Sequence, residues 1–297
     1  MAMKFRTEYL PGKAGIILDP RKPVVLTGSC FSQNIAAKMK EHSWEALNPL
    51  GTLYNPLSIC EAIDIVTDSE NGYDRFLDSL FNADNLWNSW WFDSSFSAIL
   101  KEDCIEEFLL RQNQFLKGLK EGGVMIVTFG TSICYYLDHA CIPVGNCHKQ
   151  PSSMFYRERL IIDDIVARWS NLLESLRDRF PGIRVIFTVS PVRHLKDGFE
   201  GNARSKAILL LAVEEIIRLN PDTFYFPAYE ILNDDLRDYR FYASDLCHPS
   251  DEAIEYVWQK FIETYIDASG LGILSNGSRR YKALQHRPKT GALGKPL

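Results

Sequence analysis

Two short segments, far apart in the chain, hold the residue types of a nucleophilic acyl-transfer site. The first is Gly28-Ser29-Cys30, where a strand-like run breaks on glycine and a helical pattern begins. A thiol there stands at the amino end of a helix, whose free N–H groups favour the thiolate. A thiolate is the species that attacks an acyl carbon. The second segment is Asp245-Leu246-Cys247-His248-Pro249. Asp245 precedes His248 by three residues, so its carboxylate can hold one imidazole nitrogen and leave the other for proton transfer. Cys30 is thus the candidate nucleophile, His248 the base and Asp245 its orienting acid. Ser29 is the alternative nucleophile if the turn is shifted by one residue.

These segments need a scaffold that brings them together. Val24 to Thr27, Val124 to Phe129, Arg184 to Val189 and Thr223 to Phe226 are short, apolar, β-rich runs bounded by Pro, Gly or Asp. Helical patterns separate them, over Ser32–Lys40, Leu160–Phe180 and Ser205–Leu219. A final amphipathic pattern runs from Ile254 to Tyr265, with Ser250 as its expected cap. Strands alternating with helices predict an α/β fold, a mostly parallel sheet covered on both faces. In such a sheet, ligands bind beyond the carboxyl ends of the strands. Gly28-Ser29-Cys30, Gly130-Thr131-Ser132, Ser190-Pro191-Val192-Arg193-His194 and the Asp245–Pro249 segment then converge on one rim.

The rest of the chain reads as one domain over residues 1–270, with a loosely held, basic tail over 271–297. Two stretches break the rhythm and are expected as insertions. Residues 82–97 carry Trp87, Trp90, Trp91, Phe92 and Phe96, spaced more like a hairpin than a helix; they form either a pocket wall or an aromatic mini-core. Residues 132–151 mix Tyr135, Tyr136, His139, Cys141, Cys147 and His148 with Pro and Gly. His148 and His194 fall near the rim as substrate-binding candidates, and Arg193 and Lys149 as anchors for an anionic group. Asn202 and Lys206, at a helix start, are expected to be solvated. Metal binding is the chemical rival, since Cys30, Cys147, His148, His194, Cys247 and His248 are all ligand types, but no metal-binding spacing links them.

Bulk properties narrow the class. With 297 residues, 46% hydrophobic, and a formal charge of -5, the chain is an ordinary globular protein with no attraction to polyanions, so nucleic acid is not an expected partner. No apolar run reaches the roughly 18 to 20 residues of a membrane span, and the first residues lack a secretory pattern. An odd count of seven cysteines does not suggest a disulfide framework. A cytoplasmic protein with reduced thiols and no cofactor is the expectation; the oligomeric state is open.

Gly28-Ser29-Cys30-Phe31 resembles the signature of the bacterial GSCFA domain family. The likeness extends through Asn48-Pro49-Leu50-Gly51, Asn55-Pro56, Gly145-Asn146-Cys147-His148-Lys149 and Thr188 to His194. That family is related to the SGNH/GDSL hydrolases, which implies a three-layer α/β/α flavodoxin-like fold with a five-stranded sheet. The resemblance places Cys30 at the nucleophile and Asp245 and His248 in the late Asp-x-x-His-Pro segment. It implies an oxyanion hole from the N–H groups of Cys30 and Gly51. Ser132 stands where those hydrolases carry an asparagine, with Asn55 or Asn146 as substitutes, and Ser29, Asn55, Asn146, His148, Arg193 and His194 contact substrate. The expected activity is that of an acyl hydrolase or acyltransferase, with a small-molecule or carbohydrate ester as substrate. A catalytically weak binding domain and a zinc-dependent hydrolase are the alternatives.

Overall fold

The computed structural model describes residues 6–12 and 15–285. Ten strands lie in chain order: β1 (Val24–Gly28), β2 (Ala46–Leu47), β3 (Leu80–Ala83), β4 (Leu86–Ser89), β5 (Val124–Phe129), β6 (Ile133–Leu137), β7 (Ile142–Pro143), β8 (Phe155–Arg159), β9 (Arg184–Val189) and β10 (Thr223–Tyr225). The helices are α1 (Cys30–Glu41), α2 (Pro56–Thr67), α3 (Gly72–Asp78), α4 (Lys101–Gly122), α5 (Ile162–Arg179), α6 (Gly198–Leu219), the three-residue α7 (Ala228–Glu230), α8 (Asp251–Tyr265) and α9 (Ala268–Gln285).

The central sheet runs β10-β9-β5-β1-β2, and every pair in it is parallel. Ranked by position in the chain its order is 2-1-3-4-5, that of flavodoxin-like sheets. Side chains alternate between two cores, as a sheet buried on both faces requires. Val25, Met125, Val127, Val185 and Phe187 meet α2, α4, α5 and α6 on one face. Val24, Leu26, Val124, Ile126 and Ile186 meet α1, α8 and α9 on the other. The result is a three-layer α/β/α domain. Chain direction across the sheet reverses at β1, which pairs with β2 on one side and β5 on the other. The crevice beyond the ends of β1 and β5 is therefore the expected binding position.

The helical patterns hold at α1, α5 and α8, and Ser250 caps α8 by accepting the Ala253 N–H at 3.3 Å. Two expectations change, and one open alternative is resolved. The tail expected from residue 271 is helical as far as Gln285, because Leu274 is buried and Gly277 packs on the His42 carbonyl where a Cβ would not fit. Residues 286–297 lie outside the described region. The aromatic stretch belongs to the interior: β3 and β4 form a hairpin around Asp84-Asn85, both at positive φ, as a two-residue hairpin turn demands. Behind it Trp91, Phe92 and Phe96 join the larger core, while Trp90 packs on Leu137 and Val144. Finally, α6 starts at Gly198, a full two turns before the apolar pattern begins. Among the described residues, no helix is long and apolar enough to cross a membrane.

Candidate active site

The turn after β1 exists because residue 28 has no side chain. Gly28 has φ +120°, and a Cβ there would lie 2.1 Å from the Thr128 carbonyl oxygen on β5. This close approach lets the Ser29 N–H reach the Thr128 carbonyl at 3.1 Å and aims the chain straight into α1. Ser29 is the N-cap: its hydroxyl accepts the Phe31 N–H at 3.4 Å, and the residue is fully buried. Ser32 locks the turn from below, its hydroxyl donating to the Thr27 carbonyl at 3.0 Å and sharing a hydrogen bond with the Thr128 hydroxyl at 2.7 Å. Cys30, the first helical residue, keeps partial exposure. Ser29 is thus a structural cap rather than a second nucleophile or a substrate contact. Burial pushes the Cys30 thiol up, while the N–H groups of Cys30 and Phe31 and the charge of Lys206 oppose that rise.

The late segment is a tight loop closed by its own backbone. Ala243 N–H donates to the His248 carbonyl at 2.8 Å, and Leu246 takes a left-handed φ of 59°. One Asp245 oxygen accepts the N–H groups of Cys247 and His248, both at 2.9 Å, and the other meets His248 Nδ1 at 2.6 Å. These bonds hold the Asp245 carboxyl at about 2, the His248 backbone N–H contributing most. An ionised Asp245 requires Nδ1 to carry hydrogen, which leaves His248 Nε2 as the acceptor. Arg193 ties this loop to the one after β9. Its N–H donates to the Cys247 carbonyl at 3.1 Å, and its guanidinium lies 3.9 Å from the Tyr242 ring centre.

Cys30, His248, His194, Arg193, Asn55 and Asn146 all line one cavity of about 400 Å³ at the switch point of the sheet. No hydrogen bond joins Cys30 to His248 among the described residues; they meet as walls of the same space. The 132–151 insertion builds the opposite wall, through Ile133, Tyr135, Val144, Gly145, Asn146 and Cys147. Tyr54, Thr131 and Val192 complete the lining. Four residues expected here lie elsewhere. Ser132 is buried behind Thr131, its N–H donating to Ser205 Oγ at 2.7 Å. Gly51 is outside the wall, and a Cβ on it would collide with the Asp93 carboxylate, which takes the Thr52 N–H at 2.6 Å. His148 is spent on the carbonyls of Ser89 and Phe92, at 2.9 and 3.0 Å, and burial lowers its basicity. Lys149 is exposed and outside the wall. Asn55 lines the cavity, but both ends of its amide serve Ser58 as the α2 cap. Asn146 turns its oxygen to the His148 N–H at 2.7 Å. Among the described residues, no three His, Cys, Asp or Glu side chains come together as a metal site, so the ligand types scattered in sequence are not assembled.

Two basic groups near this cavity are held in unusual surroundings, and only one of them, His194, lines it. Lys206 is 2% exposed, not solvated, and its ammonium donates to the carbonyls of Gly130 at 2.7 Å and Ser190 at 2.6 Å. Those oxygens cap the ends of β5 and β9. Burial brings the Lys206 amine down to about 7, and the charge of Cys30 works against that fall. Asn202 is not idle either: its side-chain oxygen accepts the His194 N–H at 2.9 Å. His194 is held at about 4, first by burial and then by the charges of Lys206 and His248, so it is neutral near pH 7. Its Nε2 is buried without a partner, close to Gly130 and Ser29.

Among solved structures, a serine-to-alanine mutant of an acetyl esterase with an acetate ion aligns at TM-score 0.38 and 8% identity, covering 86% of this chain and 99% of the other. A carbohydrate esterase family 3 protein from Talaromyces cellulolyticus aligns at TM-score 0.34 and 7% identity, covering 87% and 99%. No curated protein matches the chain. The model of the GSCFA family matches residues 23–261, from the strand that leads to Cys30 through the helix that follows His248, and the chain belongs to that family.

Proposed function

We propose that the protein is an acyl hydrolase or acyltransferase that works through a covalent thioester on Cys30. The observation that carries this reading is convergence. A helix-start thiol and an Asp-oriented imidazole, 218 positions apart by residue number (248 − 30), open into the same cavity. His248 Nε2 takes the thiol proton as Cys30 Sγ attacks the acyl carbon. The tetrahedral intermediate collapses, the bond to the alcohol oxygen breaks, and His248 returns its proton to that oxygen. Water, or an acceptor alcohol, then gives its proton to His248 and attacks the thioester, releasing the carboxylic acid or the new ester and restoring the thiol. The Cys30 N–H would face the oxyanion. The second donor would be His194, which lines the cavity with a neutral ring whose buried Nε2 has no partner among the described residues, in place of the Gly51 and Ser132 groups. The substrate would be an ester of a small acyl group. An ester-modified sugar would use the faces of Tyr54 and Tyr135, and Arg193 would hold an anionic substituent.

A short-chain chromogenic ester tests this. Wild type should turn over and carry the acyl group on Cys30 by mass spectrometry; Cys30→Ala should lose about a thousandfold or more in rate. Turnover unaffected by Cys30→Ala would remove the nucleophile. The absence of Gly51 and Ser132 from the wall favours a second reading, a ligand-binding domain without efficient catalysis. Neither turnover nor acylation of wild type would select it.

A further inference from the structure

The cavity is rich in hydrogen-bond donors and poor in negative charge. No Asp or Glu is among the described residues that line it. The carboxylates beside it have their oxygens engaged. Asp245 holds His248 and two backbone N–H groups, Asp197 takes Arg157 at 2.6 and 2.7 Å, and Asp93 takes the N–H groups of Thr52 and Ser95. Two cations on the loop after β9, Arg193 and Lys196, have no carboxylate partner among the described residues, which include every Asp and Glu of the chain. Arg193 lies in the cavity wall, and its side-chain partners are neutral: the Leu246 carbonyl at 3.4 Å and the rings of Tyr242 and Tyr239, with centres 3.9 and 5.2 Å away. Stacked on those rings, the guanidinium is held in place with most of its N–H edge lacking an acceptor. Lys196 donates to the Tyr135 hydroxyl oxygen at 2.6 Å. An ammonium has no lone pair to offer, so Tyr135 accepts this bond and keeps its own proton for another acceptor. Tyr135 belongs to the opposite wall of the cavity, and Arg157 and Lys196 both lie against its ring, 5.5 and 5.1 Å from the centre.

We propose that the cavity is built for an anionic ester, a substrate whose carboxylate or phosphate oxygens are received by Arg193 from one wall and by the Tyr135 hydroxyl from the other. Arg193 and Tyr135 are the specificity-determining contacts. Lys196 is a positioning residue that acts through Tyr135, by fixing which way the phenol proton points. The acyl chemistry of Cys30, on which this proposal rests, needs no such charge; the walls do. A neutral ester would cover the Arg193 edge and the Tyr135 proton from water and offer them little in return, and an unpaired donor discriminates strongly against the ligand that leaves it so.

Probes without an ester bond read this apart from turnover. Succinamate and succinamide differ by a single carboxylate, and their binding to the full chain is followed by NMR from the ring signals of His194 and His248. The titrations are run at about pH 8, where ordinary imidazoles are neutral and do not themselves attract an anion. Wild type should bind succinamate about tenfold or more tightly than succinamide. Arg193→Gln should erase most of that preference, and Tyr135→Phe, which keeps the ring, should cut it about threefold or more. Lys196→Met should weaken succinamate as Tyr135→Phe does and add nothing in the double variant; a full, additive effect there would remove Lys196 as a residue acting through Tyr135. Inorganic phosphate titrated in the same way separates the two oxyanions: tighter binding than succinamate assigns a phosphate-bearing ester, weaker binding a carboxylate-bearing one. A wild type that prefers neither anion to succinamide, or a preference that survives Arg193→Gln, overturns the proposal. Arg193-dependent anion binding in a protein that hydrolyses no ester and is not acylated at Cys30 would leave this site standing and sink the enzyme reading alone.

Discussion

The pH dependence of stability should carry the signature of His194. Its imidazole is held at about 4 against an ordinary 6.5, burial being the largest cause and the nearby Lys206 and His248 charges the next. The unfolded chain therefore binds a proton at this residue as pH falls through 6.5, while the folded protein refuses it until about 4. Between those values the unfolded state holds more protons, so stability rises with pH. The contribution is fully present above pH 6.5 and is lost on the way down to 4. At roughly pH 4.5 the unfolded form is protonated about a hundredfold over neutral and the folded form only to about one quarter, which amounts to about 2–3 kcal/mol of lost stability. The structure supplies the reason, because a second ring proton would place a charge in a buried position already facing the Lys206 cation. Urea denaturation of wild type and His194→Gln at pH 7 and pH 4.5 isolates the effect from the carboxylates, which both proteins share. Wild type should lose about 2–3 kcal/mol more than the variant over that interval. Parallel losses, within about 0.5 kcal/mol of each other, would show that His194 is not held neutral and would also remove it as a one-proton oxyanion donor.

Two further substitutions probe the turn and the base. Gly28→Ala places a methyl group on the Thr128 carbonyl and forces a side chain to φ +120°, so stability should fall by about 2–4 kcal/mol from strain and the weakened Ser29–Thr128 hydrogen bond; a urea midpoint implying less than about 1 kcal/mol would show that the close approach is relaxed in solution. Asp245→Asn removes the anion that fixes the His248 tautomer, so ester turnover should fall about a hundredfold or more near neutral pH while Cys30 alkylation remains; turnover within about threefold of wild type would mean that His248 needs no orienting acid.

Much of the scaffold is legible in the sequence because its signals are local and redundant. Pro23 and Gly28 bracket β1, and Pro181-Gly182 enters β9. Leu172, Leu176 and their neighbours mark α5 by simple periodicity, and Ser250 announces α8. What escaped has a physical reason in each case. Ala46–Leu47 is an edge strand of two residues, too short for alternation to show. The tryptophan block carries large side chains that would serve a binding wall or a core equally well, and only the hairpin fold-back sends Trp91, Phe92 and Phe96 inward. Ser132 was placed at the cavity by its position after β5, but β6 begins one residue later and its first turn of chain carries Thr131, not Ser132, to the wall.

Lys206 departs from the sequence expectation for a physical reason. A charged residue at the edge of an apolar helical pattern is ordinarily a solvated end, yet α6 begins at Gly198, so position 206 already lies inside the helix. From there Lys206, Leu209, Val213 and Ile216 follow steps of three and four along one buried stripe. A lysine on a core stripe needs acceptors, and this one lies over the tips of β5 and β9, where ladder pairing ends and the carbonyls of Gly130 and Ser190 want donors. The same backbone carbonyls that require a donor at the end of a parallel sheet thus fix a cation at the point where the fold places its ligand. That coincidence explains why the lysine can be structural and electrostatic at once.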